Sequence, residues 1–348
     1  MNNKNIDLRS DTFTLPCPAM KEAMMNAKVG DDVWDEDPTV KELEQKIATL
    51  FGKEAALFCP SGTMTNQIAL KILTQPQDDI ICDIRSHIYQ YEGGGIAYNS
   101  FCSVRLLQGE KGILTPKMIE EEILPDDVHF PRSRVVALEN TVNKAGGSSY
   151  KMEEIKAISE LCKKNDLKLH LDGARIFNAL VYRNQSAKDL GQYFDTISVC
   201  LSKGLGAPVG SVLVANKELI HQAKRVRKVL GGGMRQSGFL AAAGIYALDN
   251  NIEKLKKDNQ NAGKIAESLK QNKLVEEVIF EGTNIVLFRI EENYSSEKFK
   301  NELSKKGILV SSFGKEWLRI VTHLDISKEM IERVCEEVLE VKRDKISF

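Results

Sequence analysis

The sequence predicts an α/β protein, built on a mostly parallel seven-stranded sheet flanked by helices and completed by a small C-terminal α+β domain. Three observations carry this reading. Short apolar stretches, several nearly continuous in Val, Ile and Leu, alternate with helical ones between about residues 55 and 215, as strands buried on both faces do. Near Asn250 the glycine-containing motifs stop and Lys- and Asn-rich helix begins. The length of 348 residues is long for one core and suits one large domain with a smaller one. The division expected is 1–250 for the large domain with its N-terminal arm and 251–348 for the small one.

Taken in order, residues 1 to about 37 show no periodicity. They contain Ser10-Asp11-Thr12, prolines at 16 and 18, and the acidic run Asp31-Asp32-Val33-Trp34-Asp35-Glu36-Asp37, whose plainest reading is a solvated loop. Asp37-Pro38-Thr39 puts a cap and a proline at the head of a helix with Val40, Leu43, Ile47 and Leu50 at helical spacing, and Gly52 stops it. Strands are expected at 55–59, 80–84, 103–107, 134–139, 167–172, 196–201 and 210–215, with helices among them at 63–73, 116–124 and 152–165. In such a sheet the functional groups gather where loops leave the carboxyl ends of the strands. After Gly231-Gly-Gly-Met-Arg235 a helical run leads to the C-terminal part. There the pattern reads helix to about 272, strands at 275–280 and 284–290, helix at 296–306, strands near Ile308 and Leu318, and a last helix at 328–342.

Composition narrows the function classes. A 42% hydrophobic and 28% charged content is that of an ordinary soluble globular protein. The net charge of -1, with both signs mixed along the chain, gives no electrostatic argument for a nucleic-acid or membrane partner, so the expected partner is a small molecule. The 7 cysteines are odd in number and form no CxxC pair, which indicates neither a disulfide framework nor a zinc site, and no other ligand cluster predicts a metal. The first residues lack an apolar signal region and no run nears the roughly 18 apolar residues of a membrane span, so a cytoplasmic protein is expected.

Four places carry chemistry. Cys59-Pro60-Ser61-Gly62-Thr63 leads from a strand into a helix, where free amides and the two hydroxyls suit a phosphate or serve as an ordinary capped turn. His87 lies just past a strand in Ser86-His87-Ile-Tyr-Gln-Tyr-Glu92-Gly-Gly-Gly, placed either to stack on a flat cofactor and move protons or to hold its loop. The three glycines allow close backbone approach or positive φ. Asp172 and Arg175 end one strand and either pair with each other or leave the carboxylate for a pyridinium. Lys203 ends the next strand, between Ser202 and Gly204, where burial would lower its pKa toward the range of imine chemistry. An acid and a lysine at two such strand ends suit pyridoxal phosphate, with lysine forming the Schiff base and the carboxylate keeping the pyridine nitrogen protonated. No GxGxxG follows the first strand of the sheet, which argues against a dinucleotide enzyme.

Arg9-Ser10-Asp11-Thr12, Asp37-Pro38-Thr39, Pro60-Ser61-Gly62-Thr63, His87-Ile-Tyr, Leu138-Glu-Asn-Thr141, His170-Leu-Asp172-Gly-Ala-Arg175, Leu201-Ser-Lys203-Gly-Leu-Gly, Gly231-Gly-Gly-Met-Arg235-Gln and Val321-Thr-His323 together resemble the low-specificity L-threonine aldolases. The resemblance runs in order over nearly the whole chain. It implies fold type I of the pyridoxal-phosphate enzymes, with Lys203 as Schiff-base lysine, Asp172 at the pyridine nitrogen, His87 stacked on the ring and Ser61, Gly62 and Thr63 on the phosphate. It also implies Arg175 near the phenolic oxygen and substrate, and Ser10 and Arg319 on the substrate carboxylate, a task suited to a bidentate arginine. Lys228 and Arg235 match positions that reach a neighbouring subunit's site, which implies a homotetramer of paired dimers. The implied reaction is retro-aldol cleavage of a β-hydroxy-α-amino acid to glycine and an aldehyde. β-Elimination, racemisation and transamination stand as alternatives, and so does a non-catalytic protein of the same fold. Two positions depart from the family pattern: Val142 where histidine commonly follows Glu-Asn-Thr, and Trp34-Asp35 where tyrosine and glycine are usual. Both are expected to alter a pocket near the substrate side chain.

Overall fold

The chain begins with a two-residue strand, β1 (Ile6–Asp7), and then lays down seven strands of one sheet: β2 (Ala55–Cys59), β3 (Asp78–Asp83), β4 (Ser103–Leu107), β5 (Arg132–Glu139), β6 (Lys168–Gly173), β7 (Thr196–Cys200) and β8 (Ser211–Ala215). The computed structural model describes residues 5–342. Strand order is β2-β8-β7-β6-β5-β3-β4. β8 runs antiparallel to both of its neighbours and every other pairing is parallel. β2 therefore runs the same way as β7, so β2, β3, β5, β6 and β7 all end on one edge of the sheet. The aliphatic runs that predict these strands are the ones buried on both faces: β3, β7 and β8 are buried throughout.

Helices cover the sheet because their apolar stripes have nowhere else to go. Gly62–Leu73 buries Ile68, Ala69 and Leu70 completely, and Pro38–Leu50 buries Val40, Leu43 and Ile47. The second of these is started by Asp37, whose Oδ1 accepts from the amides of Thr39 at 3.1 Å and Val40 at 3.0 Å, with proline at the first helical position. Asp37 Oδ2 accepts from the amides of Gly30 and Gly238 as well. Asp32, also buried, pairs with the buried Arg227 at 2.9 Å. The acidic run is thus only partly the solvated loop expected from its charge, since two of its carboxylates are buried, Asp37 as a helix cap and Asp32 in an ion pair.

The C-terminal part forms a four-stranded antiparallel sheet. β9 (Val275–Phe280), β10 (Ile285–Ile290), β12 (Ser311–Ser312) and β13 (Trp317–Val321) pair in the order β12-β13-β10-β9, and β11 (Ile308–Leu309) lies just before β12. Helices Leu255–Gln271, Ser296–Lys305 and Lys328–Glu340 accompany it. β1 pairs with β11 in parallel, and Ile6 and Leu8 are buried with Ala262, Phe288, Leu303 and Val334 in the core of this part. The start of the arm therefore packs with the C-terminal sheet, whereas the sequence reading groups it with the large domain. A strand of two residues is too short to show a period of two. From Leu8, whose carbonyl accepts from the Val321 amide at 2.9 Å, the arm returns to the large sheet at Asp11.

Helix Leu255–Gln271 buries Asp258, whose Oδ2 has no hydrogen-bond partner among the described residues. Burial, helped by the charge of Asp11 against that of Lys257, pushes this carboxyl up to about 8. The native state thus holds a proton there that an unfolded aspartate has lost by neutral pH. This contribution to stability is complete below about pH 4 and is lost as pH rises through about 8, at no more than about 1.4 kcal/mol per pH unit. Asp258→Asn is expected to flatten that fall between pH 4 and 8 in urea unfolding curves; parallel stability profiles for parent and variant would count against it.

Candidate active site

The common edge of the strand ends collects the site. After β2, Ser61 adopts an extended backbone and its Oγ accepts from the Met64 amide at 3.2 Å. That cap leaves the amides of Gly62 and Thr63 at the head of the helix, directed out of its first turn, and the dipole there favours an anion. Thr65, one turn in, is tied by its hydroxyl to Ser198 Oγ of β7 at 2.6 Å, which fixes the helix head against the sheet.

Asp172 ends β6 at 3% exposure. Its Oδ1 accepts from the Ala174 amide at 3.1 Å and its Oδ2 from Asn66 Nδ2 at 3.0 Å. Among the described residues no cationic side chain forms an ion pair with it. Arg175, the partner that a purely structural pair would require, turns away to Asp11. Asn66 also donates to Glu92 Oε1 at 2.8 Å, and its Oδ1 lies 3.2 Å from His170 Nε2. His170 is fully buried and held down to about 4 by that burial, so it is neutral, and Nε2 carries the proton that Asn66 accepts. Past β3, His87 is half-buried with Nδ1 3.0 Å from Glu92 Oε1, and its amide donates to Glu139 Oε2 at 2.7 Å. Ligating atoms of His87, Glu92 and Asp172 lie within 4.8 Å of one another. Glu139, at the end of β5, also accepts from the Asn143 amide. Burial and the nearby Asp172 charge push it up to about 7.

A second group faces the arm. Arg175 donates from Nε and Nη2 to the two oxygens of Asp11, each at 2.7 Å, and both side chains are buried. Burial opposes the ionised Asp11, and the guanidinium overcomes it and holds the carboxyl down to about 2. Lys203, half-buried three residues past β7, adds its charge to those acting on both Asp11 and His87, and a Cβ on the adjacent Gly204 would lie 3.9 Å from Asp11 Oδ2. Arg319 on β13 donates to Asn143 Oδ1 at 3.0 Å and to the Arg9 carbonyl at 3.1 Å, beside Ser10. Its Nε is buried with no partner among the described residues. No carboxylate pairs with it among the described residues, and burial together with the neighbouring Arg175 holds it down to about 10.

The structure thus brings together Ser10, His87, Asp172, Arg175, Lys203 and Arg319, with Ser61, Gly62 and Thr63 at the strand end two positions from Lys203. Lys228 and Arg235 lie elsewhere, around the acidic loop. Arg235 pairs with Asp31 at 2.8 Å, and exposed Lys228 lines a cavity of about 400 Å³ with Asp32 and Val33. Val142 is buried against Gly112, where a Cβ would come within 2.6 Å of its side chain, and Trp34 is exposed on the acidic loop. Val142 therefore lies in the packed interior and does not line an open pocket. Sequence reasoning assigned no role to Asp11, Asn66, Glu92 or Glu139. A signal existed for Asn66, because Thr65-Asn66-Gln67 are three consecutive buried polar residues in an apolar helix.

This donor set is specific in what it leaves unmet. A buried carboxylate without a cation, a helix head with free amides and hydroxyls, an imidazole and a half-buried lysine match a flat cationic ring that carries a phosphate and a reactive carbonyl. A half-buried guanidinium that no carboxylate among the described residues pairs with matches a carboxylate.

The family model described as beta-eliminating lyase matches residues 7–293. An Escherichia coli protein named low specificity L-threonine aldolase is 44% identical over 332 residues, covering 95% of this chain and 97% of that one. Low-specificity L-threonine aldolase 1 of Arabidopsis thaliana is 40% identical over 331 residues, with 93% and 92% covered. Among solved structures, a Leishmania major threonine aldolase superposes with a TM-score of 0.84 at 22% identity, covering 96% of this chain and 98% of that one, which shows a shared fold. By the extent of these matches, the chain belongs to the beta-eliminating lyase family and, within it, to the low-specificity L-threonine aldolases.

Proposed function

We propose that this chain is a pyridoxal-phosphate-dependent aldehyde-lyase that cleaves L-threonine or L-allo-threonine to glycine and acetaldehyde. The observation that carries the reading is Arg319, a half-buried cation whose Nε is buried and which pairs with no carboxylate among the described residues, set beside Arg175 and Ser10. An α-carboxylate is the anion that completes it. The cofactor would be held by Lys203 at its carbonyl carbon, Asp172 at its ring nitrogen, His87 against its face and Ser61, Gly62 and Thr63 at its phosphate, with Arg175 near its phenolic oxygen. When bound, it supplies an electron sink for the pair released at Cα.

The chain's own residues do the rest. Arg319 and Ser10 bind the substrate carboxylate and so fix the orientation of Cα and its bond to Cβ. His87 takes the β-hydroxyl proton at Nε2, the ring nitrogen that Glu92 does not engage. As that proton leaves, the Cβ–O bond becomes the carbonyl of acetaldehyde and the Cα–Cβ bond breaks. Cα then takes up a proton, and glycine departs. Asp172, held in place by the Ala174 amide and by Asn66, would face the ring nitrogen.

The proposal extends to a cytoplasmic homotetramer in which Lys228 and Arg235 serve a neighbour's site.

Purified protein supplied with pyridoxal phosphate is expected to form glycine and acetaldehyde from at least one of the two threonines; pyruvate instead of acetaldehyde would move the assignment to β-elimination. Lys203→Ala is expected to lose the colour of the bound cofactor and turnover together. Arg319→Ala is expected to lower kcat/KM by about 100-fold or more, mainly through KM, as fits a lost charge-assisted bond pair. An unchanged KM would remove Arg319 from the carboxylate site.

A further inference from the structure

His87 is backed by a constructed acceptor. Just after Glu92, five residues beyond His87, the chain turns through Gly93 and Gly94 at φ of 62° and 72°, and the Gly95 amide closes the turn on the Glu92 carbonyl at 3.0 Å. This turn folds Glu92 inward, where its side chain has 0% exposure. Gly95 has a different task. A Cβ there would come within 2.5 Å of the Gln67 amide group, so its absence is what admits Gln67 to the carboxylate.

The hydrogen-bond directions around Glu92 are determined by the groups behind its partners. Gln67 Oε1 accepts from Asn99 Nδ2 at 3.1 Å, so Gln67 Nε2 is the atom that donates to Glu92 Oε2, at 2.6 Å. Asn66 Nδ2 faces the carboxylates of both Asp172 and Glu92, so it is the atom that donates to Glu92 Oε1. Glu92 therefore acts as an acceptor toward each amide, and its third neighbour at hydrogen-bond distance is His87 Nδ1.

We propose that Glu92 is a positioning residue that holds a proton on His87 Nδ1 and so reserves Nε2 as the ring nitrogen that exchanges a proton with the substrate. The exchange with substrate rests on the aldolase reading above, while the tautomer rests on the geometry alone. The charged and titratable groups facing His87 are Glu92, Asp172, Glu139, Lys203 and the Tyr91 ring 5.6 Å away. Burial disfavours the protonated ring and Lys203 adds to that. The bond to Glu92, with the charges of Asp172 and Glu92, more than offsets both, so the imidazole titrates above its ordinary range.

The test follows the histidine itself in holoenzyme labelled with ¹⁵N-histidine, with the His87 signals assigned by their loss in His87→Phe. Above its titration range, His87 of the parent is expected in the Nδ1–H form, although free imidazole in water favours Nε2–H. A parent in the Nε2–H form overturns the proposal, with no variant needed. In Glu92→Gln the His87 titration is expected to move down toward the ordinary imidazole range, and the acid limb of kcat/KM to move with it, because a base with a lower pKa is free at lower pH. Glu92→Asp is expected to restore part of the shift. A titration in Glu92→Gln that coincides with the parent's overturns the proposal, even if turnover falls. If the tautomer and the shift appear but no glycine forms from either threonine, the positioning role stands and the aldolase reading fails.

Discussion

The ion pair between Asp11 and Arg175 is the interaction on which the arrangement depends. Asp11 comes from the arm, Arg175 from the end of β6, and Asn284 at the head of β10 donates to the same carboxylate at 3.2 Å while also donating to the Thr322 carbonyl. One buried charge pair thus joins the N-terminal arm, the large sheet and the C-terminal sheet. Removing two charges from water is costly, and it is offset only where the geometry is bidentate and the remaining lone pairs are satisfied. Both conditions hold here. Loss of either partner would strand a charge in the interior, a change of about 3–5 kcal/mol in comparable cases.

With Asp11 claiming Arg175, Asp172 is left for another partner. Around Asp172 the buried carboxylates Glu92, Asp172 and Glu139 are satisfied with amides and one imidazole. Few cations are spent on anions here, and Arg319 is not spent at all. The site therefore carries unmet demand of both signs, an anion for a ring cation and a cation for a carboxylate. A structural network would have neutralised both internally, and it is this incompleteness that gives the arrangement its chemical direction.

The seven strands of the large sheet were legible from the sequence because most are aliphatic runs buried on both faces, a pattern that survives without knowledge of neighbours, and the edge strand β4 still shows its Val and Leu residues. Lys203, Asp172 and His87 were legible for a related reason: charged or basic groups at the ends of such runs are out of place in a core. β1 was not legible, since Ile6 and Asp7 reveal a strand only against β11, about 300 residues away in the chain. Asn66 and Glu92 were overlooked because an amide in a helix and an acid in a loop have ordinary local explanations.

What the sequence by itself determined is the set of elements and the chemistry of the residues at their ends, because propensity, burial pattern and turn residues are local properties. What only the tertiary structure decided is pairing. Whether Asp172 would meet Arg175 three residues on or wait for a cofactor, and whether His87 would stand free or be backed by Glu92, depended on groups from distant parts of the chain competing for the same hydrogen bonds. Asp11, 164 residues from Arg175, won that competition, and the ends of β6 and β7 were left open for chemistry.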